Sequence, residues 1–140
     1  MSYDLHPRNK EVNPISFGWV TWSWLLLDCG IGLVIGVGNS IRPAQYRYIP
    51  GKKGASPMSN DGYYVSPKNA KIMAIVARGW VLVERGKRDE WEELSEEEQK
   101  RMEEWNKEFK TYKLPASGEF IDKVEAFANF AETSGGFRIY

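Results

Sequence analysis

Tyr3 and Leu5 alternate with polar neighbours at the start of the chain, and Phe137-Arg138-Ile139-Tyr140 alternates at its end. A period of two predicts a short strand at each place. The two are expected to pair, because the termini of small domains commonly lie together. Further in, the period lengthens. Trp19, Trp22, Leu26 and Cys29 fall on one side of a short helix. Ile31 to Val37 is a run of apolar residues and glycine that reads as a buried strand, closed by the turn-forming Gly38-Asn39-Ser40.

Ser66-Pro67 opens the clearest helix, with Ser suited to the cap and Pro to the first turn. Ala70, Met73, Ala74, Ala77, Trp80 and Val81 form one face, and Ile72, Ile75, Val76, Leu82 and Val83 cover much of the rest. A helix apolar nearly all round predicts a buried central element. It is expected to run to about Arg85 and stop at Gly86. Gly79 inside it implies a close neighbour. Ser95-Glu96-Glu97-Glu98 is a capping box that opens an acidic helix over 95–112. Its apolar stripe reads Trp91, Leu94, Met102, Trp105, Phe109 and Tyr112. Ser117 caps the last helix, striped by Phe120, Val124, Phe127 and Ala131 and stopped by Ser134-Gly135-Gly136. These elements describe one compact α+β domain over residues 1–140. About four helices surround a Trp-rich core, with a small sheet of short strands.

Composition agrees with a core of this kind. The 140 residues include 6 Trp, 7 Tyr and 6 Phe, enough to build a core without disulfide staples. The apolar stretch 17–41 is long enough to raise a membrane span. Asp28 in its middle and Gly18, Gly30, Gly32, Gly36 and Gly38 along it favour a buried helix and strand instead. No small-residue cleavage site follows the stretch. The expected location is cytoplasmic, with Cys29 reduced and buried.

One cysteine and one histidine exclude a disulfide framework and a Cys-cluster metal site, and make a His-based triad improbable. No metal and no cofactor are expected. His6 and Cys29 have no spacing that marks a nucleophile pair, and a cysteine in apolar surroundings is usually inert. Gly30-Ile31-Gly32-Leu33-Val34-Ile35-Gly36 misses the third glycine of a dinucleotide-binding loop, since Ile35 stands there. Asp28 at the end of its helix meets the unfavourable end of the helix dipole, so it is expected to find a partner such as an arginine. The acid–base and nucleophile inventory is thin, and the balance leans away from an enzyme.

Zero net charge hides a dipole. Residues 41–88 carry ten Lys/Arg against two acids, net +8, and residues 89–108 carry ten acids against three bases, net −7. The ordinary reading is two solvated faces that neutralise each other. The sharper reading assigns the basic block to an anion. Residues 42–62 are irregular, rich in Pro-Gly, Lys-Lys-Gly and Asn-Asp-Gly, and a loop of this length in a compact domain is often functional. Arg42 and Arg47 offer forked donors for phosphate, Lys52 and Lys53 mobile charge, and Tyr46 and Tyr48 stacking surfaces. Lys68, at the start of the Ser66-Pro67 helix, adds a second anion contact. The corresponding expectation is a non-catalytic protein that captures a nucleotide, another phosphate-bearing ligand or a short nucleic-acid segment, with an oligomer interface as one setting. The alternative is a protein-interaction module that uses the acidic helix 95–112, with Trp91, Glu97, Glu104 and Trp105 as contacts.

Three stretches carry a likeness: Tyr3-Asp4-Leu5 with Lys10, Ser59-Asn60-Asp61-Gly62 with Val65 before Met73-Ala74, and Ser134-Gly135-Gly136-Phe137. Together they resemble small bacterial and phage proteins of uncharacterised function. The resemblance implies a single compact domain and assigns no functional residue.

Overall fold

The computed structural model describes residues 2–37, 57–58, 61–110 and 114–140. In chain order they form β1 (Ser2–Pro7), β2 (Ile15–Gly18), α1 (Trp19–Leu27), a 3-10 helix (Ile31–Ile35), β3 (Tyr63–Val65), α2 (Pro67–Glu93), α3 (Glu96–Phe109), α4 (Gly118–Thr133) and β4 (Phe137–Ile139). The strands make one antiparallel sheet in the order β2-β1-β4-β3. The alternating first and last strands therefore do pair, Leu5 opposite Ile139 and Pro7 opposite Phe137. Among the described residues this is an α+β arrangement of four α-helices on a small sheet.

The period of two sorts the sheet into two faces. Tyr3, Leu5, Phe17, Val65, Phe137 and Ile139 point inward and are buried. They meet α4, whose Phe127 and Phe130 lie edge-on to Phe137 at 6.1 and 5.4 Å. Trp22 of α1 is fully buried and packs on Phe17 and Phe127. α2 closes the other side of α4. The ion pairs Arg78–Glu132 and Arg85–Glu125 stitch the two helices together along their exposed edge. The basic block of α2 is thus partly neutralised by acids of α4.

Three expectations need correction. Residues 31–37 are not a strand. Gly30 and Gly36 take the left-handed φ of 80° and 84° at either end, and the run between them coils into 3-10 turns that bond Leu33 N to the Gly30 carbonyl. Gly86 does not stop α2. It sits in ordinary helical backbone, and the helix continues to Glu93, supported by the Arg88–Glu92 pair. Nor is α2 the central helix. Its Ala70, Met73, Ala74, Ala77 and Val81 are buried, but Ile75, Leu82 and Val83 are exposed. The helix that lies between the sheet and α2 is α4, with six buried residues from Ile121 to Ala131.

Within 17–41, the described residues pack Trp22, Leu25, Leu26 and Ile31 into the core. Among the described residues no helix is long and apolar enough to cross a membrane.

Two predictions arise from this packing. A Cβ on Gly32 would lie 2.6 Å from the carbonyl oxygens of both Leu26 and Val37. Backbone atoms cannot step aside cheaply, so Gly32→Ala is expected to lower stability by about 1–3 kcal/mol, read from denaturant unfolding. Tyr63 is half-buried, and loss of solvent raises its phenol above the usual value of 10.0. The folded state then holds this proton more tightly than the unfolded chain. Its contribution is complete below the unfolded value and is lost as pH rises through the folded one. Tyr63→Phe should therefore flatten the fall in stability above pH 10, measured as unfolding midpoint against pH.

Candidate functional site

The outward face of the sheet brings together the side chains that remain polar. Antiparallel register sets His6 opposite Arg138, and Tyr64 opposite Arg138 on its other side. Three strands thus contribute one row: imidazole, guanidinium, phenol. The next row carries Asp4 opposite Tyr140, joined by two backbone hydrogen bonds of 2.7 and 2.8 Å. The His6 and Tyr140 rings meet edge to face at 5.1 Å.

Arg8 joins this group through the turn after α4. Gly135 and Gly136 adopt left-handed φ of 68° and 94°, and the buried Ser134 hydroxyl accepts from the Gly136 N–H. The turn then takes two hydrogen bonds from the chain beyond β1: Arg8 N–H to the Gly136 carbonyl and Asn9 N–H to the Ser134 carbonyl, both 2.8 Å. Arg8 is thereby fixed beside the start of β4. Its Nη1 donates to the Tyr64 hydroxyl at 3.2 Å. Arg138 lies over the Tyr64 ring, with Cζ 5.1 Å from the centroid, and donates from Nη1 to the Gly62 carbonyl. Gly62 has φ of 90°, and its missing side chain leaves the space taken by the Tyr140 ring.

His6, Pro7, Arg8, Tyr64, Phe137, Arg138 and Tyr140 line an open cleft of about 630 Å³, a size typical of small-molecule sites. Among the described residues neither Arg8 nor Arg138 has a carboxylate partner. Their partners are a phenol, a carbonyl and a ring face. By contrast Arg78, Arg85 and Arg88 are all held by acids. The acid nearest in the sheet, Asp4, is one row away and accepts a hydrogen bond from Ser16. The cleft therefore offers two permanent positive charges with forked donors and flat aromatic surfaces beside them.

Of the residues singled out in sequence, Arg42, Tyr46, Arg47, Tyr48, Lys52 and Lys53 lie outside the described residues. Lys68 is exposed in the first turn of α2 and does not line the cleft. The Ser66 hydroxyl accepts from the Asn69 N–H, as the cap reading requires. Trp91 belongs to α2, not to the acidic helix, and is half-buried. Glu97 and Glu104 are exposed on α3, which buries none of its residues. Trp105 is 49% exposed and packs on Phe109 at 4.5 Å. Asp28 does occupy the C-cap of α1, but it is exposed and has no ion-pair partner among the described residues. An exposed carboxylate keeps its charge without a protein partner, so no arginine is required.

A second cavity, about 540 Å³, is lined by Trp24, Trp80 and Phe120 together with Asp28 and Glu84. Glu84 is buried and accepts from the Ala116 N–H and from Lys87, both at 3.1 Å. Its acidic lining does not suit an anion. No group of three or more metal-ligating side chains occurs among the described residues.

The signals for the sheet site were present but weak. Alternation in Phe137-Arg138-Ile139-Tyr140 puts Arg138 and Tyr140 on one face, and Asp4 and His6 follow from Tyr3 and Leu5. Tyr64 was hidden, because the three residues of β3 are too few to show a period of two. Compared with protein-family models, curated proteins and solved structures, the chain matches none, and the functional reading rests on this geometry.

Proposed function

We propose that the protein is a non-catalytic binding protein for a phosphate-bearing ligand, a nucleotide or a short nucleic-acid segment, and that the outward sheet cleft holds it. The observation that carries this reading is the pair Arg8 and Arg138, exposed, fixed by backbone register and without a carboxylate partner among the described residues. Arg138 and Arg8 would bind phosphate oxygens through charge-assisted hydrogen bonds. Tyr64 and Tyr140, each partly exposed at the cleft, offer faces on which a base can stack. His6 adds a donor at the rim. The inferred cytoplasmic location fits a nucleotide ligand.

The test is native mass spectrometry and calorimetry of the protein with a panel of nucleotides and short oligonucleotides. Alanine at Arg8 and Arg138 should remove binding. Alanine at Arg47, Lys52 and Lys53 separates the sheet from the basic loop. If the loop variant loses the ligand and the sheet variant keeps it, the sheet is not the site.

A second reading, docking of a protein partner on α3, is supported by the absence of any buried residue on that helix and by the exposure of Trp105 and Phe109. Charge reversal at Glu97 and Glu104 would then release the partner while leaving nucleotide binding intact.

A further inference from the structure

α2 turns one apolar face outward. Ile72, Ile75, Gly79, Leu82, Val83 and Gly86 recur at helical spacing opposite the buried Ala70, Met73, Ala77 and Val81. Ile75, Leu82 and Val83 are 70%, 72% and 57% exposed. Each of the two glycines weakens a helix by about 1 kcal/mol against Ala. Neither makes room for a neighbour among the described residues, since a Cβ on Gly79 or Gly86 would meet none of them within 4 Å. An exposed apolar stripe with open glycines in it is a surface shaped for close approach by something else.

The charges at its two ends say what. Lys68 and Lys71 are exposed at the N-terminal end, and Asp89, Glu90 and Glu93 at the C-terminal end. None of the five has an ion-pair partner among the described residues. We propose that this face packs against the same face of a second copy of the chain, the two α2 helices antiparallel about a two-fold axis at Gly79. At 1.5 Å per residue and 100° per residue, that arrangement sets Lys71 beside Asp89 of the partner subunit and Lys68 beside Glu90 of the partner subunit. Ile75 meets Leu82 of the partner subunit, and Ile72 fills the gap left by Gly86 of the partner subunit. Each contact occurs twice, as a closed two-fold interface requires. A parallel pairing would put like charges together at both ends. The acidic end of α2 thus has a role distinct from α3: it fixes helix direction in the pair.

Sedimentation velocity of the full chain, across nanomolar to high-micromolar concentrations, tests this. The wild type should be a dimer at the upper end. Leu82→Glu should weaken association roughly thirtyfold or more, the size of one lost interface anchor, with an unchanged unfolding transition at concentrations where the wild type is monomeric. Gly79→Leu fits the isolated chain, where the space is open, but blocks the axis, and should also give monomer. Lys68→Glu with Lys71→Glu should dissociate the dimer, and adding Asp89→Lys with Glu90→Lys should restore it. A wild type that is monomeric throughout overturns the proposal, as does a dimer indifferent to Leu82→Glu and Gly79→Leu. Failure of the four-residue swap to restore association overturns the antiparallel register.

Discussion

Arg138→Ala is expected to weaken nucleotide binding by roughly 10- to 100-fold, the loss of one or two charge-assisted hydrogen bonds, and to leave the fold intact. The side chain is exposed, and its backbone stays paired through His6 and Tyr64. The guanidinium donates to the Gly62 carbonyl and lies over the Tyr64 ring, at the surface of the cleft. Arg138→Lys should restore only part of the affinity, because an ammonium keeps the charge but not the fork or the planar stacking. Rising salt should weaken the wild type more than Arg138→Ala, since the wild type has more charge to screen. Calorimetric titrations at two salt concentrations read both effects. Equal affinity in wild type and Arg138→Ala would remove the sheet cleft from consideration.

Trp22→Ala is expected to have the largest effect on stability, about 3–5 kcal/mol. That is a large share of the roughly 5–15 kcal/mol that holds a domain together. Trp22 has no exposed surface and lies among Tyr3, Phe17 and Phe127 at centroid distances of 6.2, 6.2 and 5.9 Å. It therefore joins α1, β1, β2 and α4 in one contact. Its indole N–H donates to the Pro57 carbonyl at 2.9 Å, and the Tyr3 hydroxyl donates to the Met58 carbonyl at 2.7 Å. Trp22→Phe keeps most of the ring but leaves that carbonyl without its donor, and should cost about 1–3 kcal/mol. Urea unfolding separates the two variants. A Trp22→Ala loss below that of Trp22→Phe would mean that the ring is not a keystone of this core.

The elements with the strongest periodicity were legible in the sequence. The caps Ser66, Ser95 and Ser117 each accept a hydrogen bond from the N–H three residues on, because a Ser before a helical pattern has one dominant use. The first and last strands were also legible from their alternation, and their pairing from the closeness of termini in small domains. What was not legible depended on tertiary context. The apolar run at 31–37 fits a strand by composition, but the backbone freedom of Gly30 and Gly36 is used for left-handed turns at its two ends. The all-round apolar pattern of α2 suggested a central helix. Burial inside the chain and burial against a second copy leave the same pattern in a sequence. The arginines interleaved with tyrosines that stood out in the sequence lie at 42–48, outside the described residues, and the cleft residues Arg8, Tyr64, Arg138 and Tyr140 did not stand out as ligand contacts. Arg8 and Arg138 are 130 positions apart, and strand register brings them together.

Backbone amide chemical-shift mapping by NMR, with a nucleotide titrated into the wild-type protein, tests the central claim most directly. The account predicts saturable shifts concentrated at His6, Arg8, Tyr64, Arg138 and Tyr140, and in Arg138→Ala a saturation point moved roughly 10- to 100-fold higher in nucleotide. Shifts confined to 42–53, or none at any of the five positions at saturating nucleotide, would contradict it.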